Sequence, residues 1–254
     1  TLKVIFQKNM LVNLLLGFSS GLPLLLTSKT LQALLMDSEI TISVVGIFAV
    51  VSIPYSLKFL WAPIFDRFTL PFLGRRRGWL LVLQLSLGAS IILLALTPSN
   101  GDLPLSARLP EFLNSFLYWC NEKIPDSHIS LTLMGICFLV AFLSASQDIV
   151  VDAFRRESLK EEELGLGSTA YVSGYRIGMW ASGGMAMILS DHISWQTVYL
   201  AMGAMMCIGI ATTLFSEEPV VEHAPPRNLY ESVVLPLKEF FHRKGVLSAL
   251  AVLA

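Results

Sequence analysis

Two carboxylates, Asp148 and Asp152, lie in the apolar run LTLMGICFLVAFLSASQDIVVDAF that begins at Leu131. About 20 apolar residues are enough to cross a bilayer. Residues four apart share one face of a helix, so the acids form a stripe with Ser144 one turn earlier and Gln147 and Arg155 on its flank. An acid inside a membrane span is costly and turns toward a cavity or another helix rather than lipid. Such a stripe can bind protons or hold ion pairs. Two readings of Asp148 stand side by side: a group on a transport pathway, and a structural charge pair near the end of a span. Asp152, nearer the helix end, reads first as structural.

A cation of the same kind sits in GLGSTAYVSGYRIGMWASGGMAMIL, the run from Gly165 to Leu189. Arg176 lies roughly 16 Å from the start of that run at 1.5 Å per residue, close to the middle of a core about 30 Å thick. A guanidinium at that depth faces a partner acid or an anionic ligand. Pairing with Asp148 and contact with a substrate anion are both expected of it, with Tyr175 beside it. Lys29, near the far end of the first apolar run, either lines a pathway or snorkels to the surface, and snorkelling is the preferred reading.

The elements that must position these groups are membrane helices. The chain has 254 residues, 54% hydrophobic and 15% charged, against about 25% charged in ordinary globular proteins. This excludes a soluble domain and points to an all-α polytopic membrane protein. Six spans are expected, near Leu11–Met36, Thr41–Trp61, Trp79–Thr97, the Leu131 run, Gly165–Leu189 and Trp195–Phe215. Pro23 and Pro54 should kink the first two. Gly17/Gly21 and Gly174/Gly178 are G-x-x-x-G pairs that let backbones approach closely. The connection from Pro98 to Ser130 contains EFLNSFLYWC, expected to lie in the interface as a short helix. The domain plan is a six-span bundle over 1–215, a linker over 216–244 with an amphipathic helix, and the start of a seventh span over 245–254. Both ends read as cut from a longer protein. Cys137 and Cys207 lie inside spans and Cys120 in a loop, which makes no disulfide framework.

Charge patterning orients the chain. With the N-terminus inside, the inner segments carry Lys3, Lys8, Arg67, Arg75–Arg77, Arg155, Arg156, Lys160, Arg227, Lys238, Arg243 and Lys244, and the outer ones only Arg108 and Lys123. The positive-inside rule then predicts a cytoplasmic N-terminus. Lys58 and Trp61 read as an interfacial belt at the inner end of the second span. The cluster Arg75-Arg76-Arg77 beside a membrane could equally bind anionic headgroups. An enzyme is not expected: there is no H-E-x-x-H and no phosphate loop, and His128, His192, His223 and His242 fall in or beside loops and form no metal-ligand cluster.

Six spans, a polar linker and a seventh span is the plan of a major facilitator transporter cut after its middle loop, in which two six-span halves flank the substrate. The loop of that superfamily reads G-x-x-x-D-R-x-G-R-R. Asp66-Arg67 and Gly74-Arg75-Arg76 match its parts, with FTLPFL inserted between them and Ala62 in place of the leading glycine. Together with LGFSSGLPLLLTS, KFLWAPIFDRFTLPFLGRRRGW, SASQDIVVDAF and GYRIGMWASGG, the chain closely resembles AmpG-type muropeptide permeases of the bacterial inner membrane. The resemblance implies proton-coupled import of anhydro-muropeptides, products of cell-wall recycling, with a proton gradient as coupling source and no cofactor. It implies a gating loop of Asp66, Arg67, Gly74, Arg75 and Arg76, and a pathway that includes Gln147, Asp148, Asp152, Tyr175 and Arg176. Implied partners are membrane lipids, a small glycopeptide substrate and the C-terminal half of the same transporter, with no nucleic acid. A related group with a similar QDI-VDA stretch carries acetyl-CoA, so a transporter of acetyl-CoA, another anionic metabolite or a drug is the alternative. A non-transporting membrane receptor or remnant is the rival from a different class.

Overall fold

The computed structural model describes residues 8–38, 48–97 and 131–219, which are helical almost throughout. The α-helices are α1 (Lys8–Leu26), α2 (Lys29–Asp37), α3 (Ile53–Leu57), α4 (Ala62–Arg67), α5 (Arg75–Leu96), α6 (Leu131–Ser158), α7 (Leu164–Trp180), α8 (Ala186–Ser190) and α9 (Trp195–Phe215). Among the described residues, four stretches are long and apolar enough to cross a membrane: Lys8–Asp37, Arg75–Leu96, Leu133–Ser158 and Trp195–Phe215. The chain is an all-α polytopic membrane protein. The interfacial helix expected within 98–130 and the linker helix and seventh span expected beyond 219 lie outside the described residues.

The sixth span falls at Trp195–Phe215 as expected, opened by Ser194, whose hydroxyl accepts from the Thr197 amide. The other spans depart from simple rods. The first breaks at Thr27-Ser28, four residues after Pro23, where the Thr27 and Ser28 hydroxyls donate to the Pro23 and Leu24 carbonyls. The described part of the second span is not one kinked helix. It alternates a 3-10 turn (Phe48–Ser52), α3, and a second 3-10 turn (Lys58–Leu60). Pro54 occupies the first turn of α3, where its missing amide costs nothing. The third span starts at Arg75 rather than Trp79, because Glu218 supplies acceptors for the amides of Arg76 and Arg77 in its first turn. The fifth span carries a π-helical turn at Ala181–Met185 between α7 and α8. The Thr30 hydroxyl donates to the Ser182 carbonyl in that turn, joining the break in the first span to the one in the fifth.

The glycine pairs explain how α1 and α7 meet. A Cβ at Gly174 would collide with the Leu14 carbonyl, and one at Gly178 with that of Phe18. In the reverse direction, Cβ atoms at Gly17 and Gly21 would strike the carbonyls of Tyr171 and Tyr175. The two G-x-x-x-G motifs are therefore each other's partners, and the helices touch backbone to backbone.

The core forms two apolar layers. One contains Leu22, Leu26, Leu87, Ile91, Val140, Tyr199 and Met202. The other, toward the end that carries Arg75–Arg77 and Arg155, contains Leu16, Leu80, Leu83, Val150, Val151 and Phe154. Between them along α1, α5 and α6 lie Ser19, Ser20, Gln84, Ser144, Gln147 and Asp148, all buried. The two apolar layers thus leave a polar layer at mid-height of the bundle.

Adding a methyl at a contact glycine should separate α1 from α7. Gly174→Ala is expected to cost about 1–3 kcal/mol as overpacking, seen as a lower Tm of the full-length protein in detergent. A Cβ at Gly135 in α6 meets no atom within 4 Å, so Gly135→Ala should be neutral or gain up to about 1 kcal/mol from helix propensity.

Candidate functional site

The polar layer is assembled by side chains that the helices leave no choice but to bury. Gln147 on α6 is fully buried, and its Nε2 donates to Ser19 Oγ (3.3 Å) and Ser20 Oγ (3.2 Å) on α1. On the far side, the Thr213 hydroxyl donates to Gln84 Oε1 at 2.8 Å. One residue beyond Gln147, Asp148 is 6% exposed. Its Oδ2 stands 4.0 Å from Lys58 Nζ. Its Oδ1 has no hydrogen-bond partner among the described residues, and neither do the buried atoms Tyr55 Oη, Ser144 Oγ and Gln147 Oε1. Such atoms cost about 1–3 kcal/mol each when left unmet; Asn13 Oδ1, Arg75 Nε and Gln84 Nε2 are others among the described residues, and the set around Asp148 is the one that includes an acid.

Lys58 reaches Asp148 because its turn is pinned. Trp61 Nε1 donates to Ser146 Oγ at 3.0 Å, and the Trp61 ring packs on Phe142 with centroids 4.9 Å apart. Both partners are on α6, so the 3-10 turn carrying Lys58 is fastened to the helix that carries Asp148. Sequence reasoning placed Lys58 in an interfacial belt. Its true position was hidden because the segment does not follow the helical repeat on which that reading relied.

The expected pairing of Asp148 with Arg176 is not what the structure shows: Asp148 pairs with Lys58, and Arg176 is exposed, with no ion pair among the described residues. The cause is rotational. At 3.6 residues per turn, Arg176 points about 200° away from Gly174, and the Gly174 face is the one that meets α1. Arg176 belongs instead to the exposed face with Val172, Ile177 and Trp180. Tyr175 is half-buried, with its ring 6.0 Å from that of Tyr171. Asp152 pairs with Arg155 on its own helix at 3.1 Å, and the Arg155 guanidinium lies over the Tyr171 ring at 4.7 Å. Lys29 is exposed at the start of α2.

The letters of Gly17–Gly21 also fit G-x-S-x-G, the motif of a nucleophile exposed on a strand-to-helix turn. Here Ser19 is in mid-helix, fully buried, and donates to the Leu16 carbonyl at 3.1 Å. It serves packing.

At the basic end, Asp66, Gly74, Arg75 and Arg76 come together, and Arg67 does not join them. Glu157, at the end of α6, takes Arg75 Nη2 at 2.7 Å and Arg76 Nε and Nη2 at 2.9 and 2.6 Å. Asp66 Oδ1 holds Arg76 Nη1 at 2.8 Å. Arg76 is 4% exposed, so its charge is met almost wholly by these two acids. Arg67 lies over the Phe68 ring. Gly74 has φ +91°, and a Cβ there would meet the Glu218 side chain. Glu218 accepts from the amides of Arg76 (2.8 Å) and Arg77 (3.0 Å), an anion at a helix N-terminus. Arg77 in turn donates to the Thr213 and Leu214 carbonyls at the end of α9. Lys8 holds the exposed Glu217 carboxyl below the usual carboxylate range through their hydrogen bond. Sequence reasoning missed Glu157 and Glu218, and took Arg77 only as part of the basic cluster. Nothing in the spacing of Glu157 links it to Arg75 or Arg76.

Removing the Glu157 charge leaves two guanidinium groups short of a partner in a mostly buried place. Glu157→Gln is expected to destabilise the full-length protein by about 3 kcal/mol, read as a fall in Tm, while Glu217→Gln on the surface should leave Tm unchanged.

Comparison with known proteins agrees with this architecture. The family model described as acetyl-coenzyme A transporter 1 matches residues 9–206. The anhydromuropeptide permease of Escherichia coli K12 is 39% identical over 245 residues, covering 96% of this chain and 44% of the relative. An uncharacterized protein of Haemophilus influenzae is 39% identical over 251 residues, 98% of this chain and 53% of that one. The putative transporter AmpG 4 of Rickettsia conorii is 30% identical over 246 residues, 93% of this chain and 53% of its own. The chain thus spans about half the length of the relatives it matches. With a family model covering most of a polytopic helical chain, the protein belongs to the acetyl-coenzyme A transporter 1 family and is similar to AmpG-type permeases.

Proposed function

We propose that the chain is the N-terminal half of a proton-coupled major facilitator importer, carrying anhydro-muropeptides into the cytoplasm across a bacterial inner membrane. The observation that carries the reading is Asp148: an almost fully buried acid in an apolar span, with one cation at 4.0 Å and one oxygen unmet among the described residues. Such an acid is fit to bind and release a proton. The substrate class follows the relative named anhydromuropeptide permease. The N-terminus lies in the cytoplasm, since Arg75–Arg77, Arg155 and Arg156 gather at the end where α1 starts. Asp66, Gly74, Arg75 and Arg76 form a gate anchored to α6 by Glu157, with Arg67 at its edge. Arg176, exposed on α7, is left for a substrate anion or for the second half of the transporter. Lipids, the glycopeptide and that second half are the partners. The family description supports a second reading, transport of acetyl-CoA, on the same scaffold.

Labelled anhydro-muropeptide offered to the full-length protein in proteoliposomes should accumulate with an inward proton gradient and only equilibrate without one. Asp148→Asn should reduce concentrative uptake at least about tenfold while counterflow exchange continues. Full concentrative uptake by that variant would remove Asp148 as the carrier. A folded wild-type protein that ignores the muropeptide would shift the substrate to acetyl-CoA or another anion.

A further inference from the structure

We infer that Lys58 links substrate to proton: its ammonium leaves Asp148 for a carboxylate of the substrate, and the uncovered Asp148 takes one proton. The inference rests on the muropeptide reading for the identity of the carboxylate, and on geometry for the rest. The 4.0 Å separation between Lys58 Nζ and Asp148 Oδ2 is an ion pair without a hydrogen bond. The two side chains are unequally buried, 38% exposed for Lys58 against 8% for Asp148. The ammonium therefore sits at the boundary of the polar layer and can swing outward on a flexible four-carbon stem. Its backbone cannot follow, because Trp61 is tied to Ser146 and Phe142.

Among the described residues, the surroundings of Asp148 offer no replacement cation. From α1 it faces Ser20, from α3 Tyr55, from α7 Tyr171 and Tyr175, and along its own helix Asp152. Arg155 is engaged by Asp152 and Tyr171. When Lys58 departs, a nearly buried carboxylate is left with a like charge one turn away and no counter-ion. A carboxylate in that position neutralises itself by taking a proton. The balance is simple: Lys58 stays protonated throughout, the substrate brings one negative charge, and Asp148 gains one proton. Lys58 and Asp148 then carry carboxylate and proton together with no net charge moved by the pair.

The test needs two readouts on the full-length protein. In ligand-free protein at neutral pH, the infrared carbonyl band of a protonated carboxylic acid should be weak in wild type and strong in Lys58→Gln. The band should vanish in Lys58→Gln/Asp148→Asn, and Lys58→Arg should resemble wild type. In weak buffer, wild type should take up about one proton per bound anhydro-muropeptide, and none for a muropeptide whose carboxylates are amidated. Lys58→Gln should bind the natural ligand at least about tenfold more weakly, with no proton uptake. A Lys58→Gln protein lacking the band, or one that binds with wild-type affinity and proton uptake, would overturn the linkage. A wild-type protein that does not bind the muropeptide, with the band behaving as stated, would remove the substrate assignment and leave the Lys58–Asp148 linkage standing.

Discussion

Two helices that touch backbone to backbone have no side chains between them to absorb a change, and α1 and α7 are in that position. Gly17 and Gly21 lie against the carbonyls of Tyr171 and Tyr175, and Gly174 and Gly178 lie against those of Leu14 and Phe18. In a bilayer, lipid is as apolar as leucine, so close packing rather than hydrophobic burial must hold such helices together. The contact also sets rotation. It turns Ser19 and Ser20, which flank the glycine face of α1, toward Gln147 on α6. It turns Arg176 outward. The outward position of Arg176 is a consequence of where four glycines sit.

The polar layer lies beside this contact. Ser19, Ser20, Gln84, Ser144, Gln147 and Asp148 occupy the height at which the apolar clusters of both ends stop. Some of these groups satisfy one another, as Thr213 does Gln84 and Gln147 does both serines. Others are left over near Asp148. A bundle selected only for stability would fill that layer with leucine. The breaks in the helices lie on its flank: Thr27-Ser28 in the first span and Ala181–Met185 in the fifth, tied by Thr30 to Ser182.

Much of this was legible in the residues, and the failures have a common cause. Apolar runs marked the membrane helices, and Trp195–Phe215 fell where expected because Ser194 caps it. The glycine pairs announced close contacts but not their partner, since a G-x-x-x-G motif does not say which helix it meets. Depth alone suggests Asp148 or a substrate anion as the partner of Arg176. A helical wheel drawn with Gly174 facing a neighbour would have pointed it the other way. Lys58 was misplaced because Pro54 and two 3-10 turns break the period that the assignment assumed. Glu157 and Glu218 were invisible as partners of Arg75, Arg76 and the start of α5, because contacts across 81 and 142 residues follow from tertiary packing and not from spacing.

The molecule itself shows what a structural carboxylate looks like, and Asp148 does not look like one. Glu157 uses both oxygens at 2.6 to 2.9 Å on two arginines. Those guanidinium groups form a rigid fork with fixed donor directions, suited to permanent pairing. Asp148 is more deeply buried and so stands to gain more from such a partner. Among the described residues it has instead one lysine at 4.0 Å and an oxygen with no hydrogen-bond partner. A deep acid given a loose, mobile cation is poorly placed to hold helices together. It is well placed to change its charge when that cation is called elsewhere, which is why the transport reading of Asp148 outweighs the structural one.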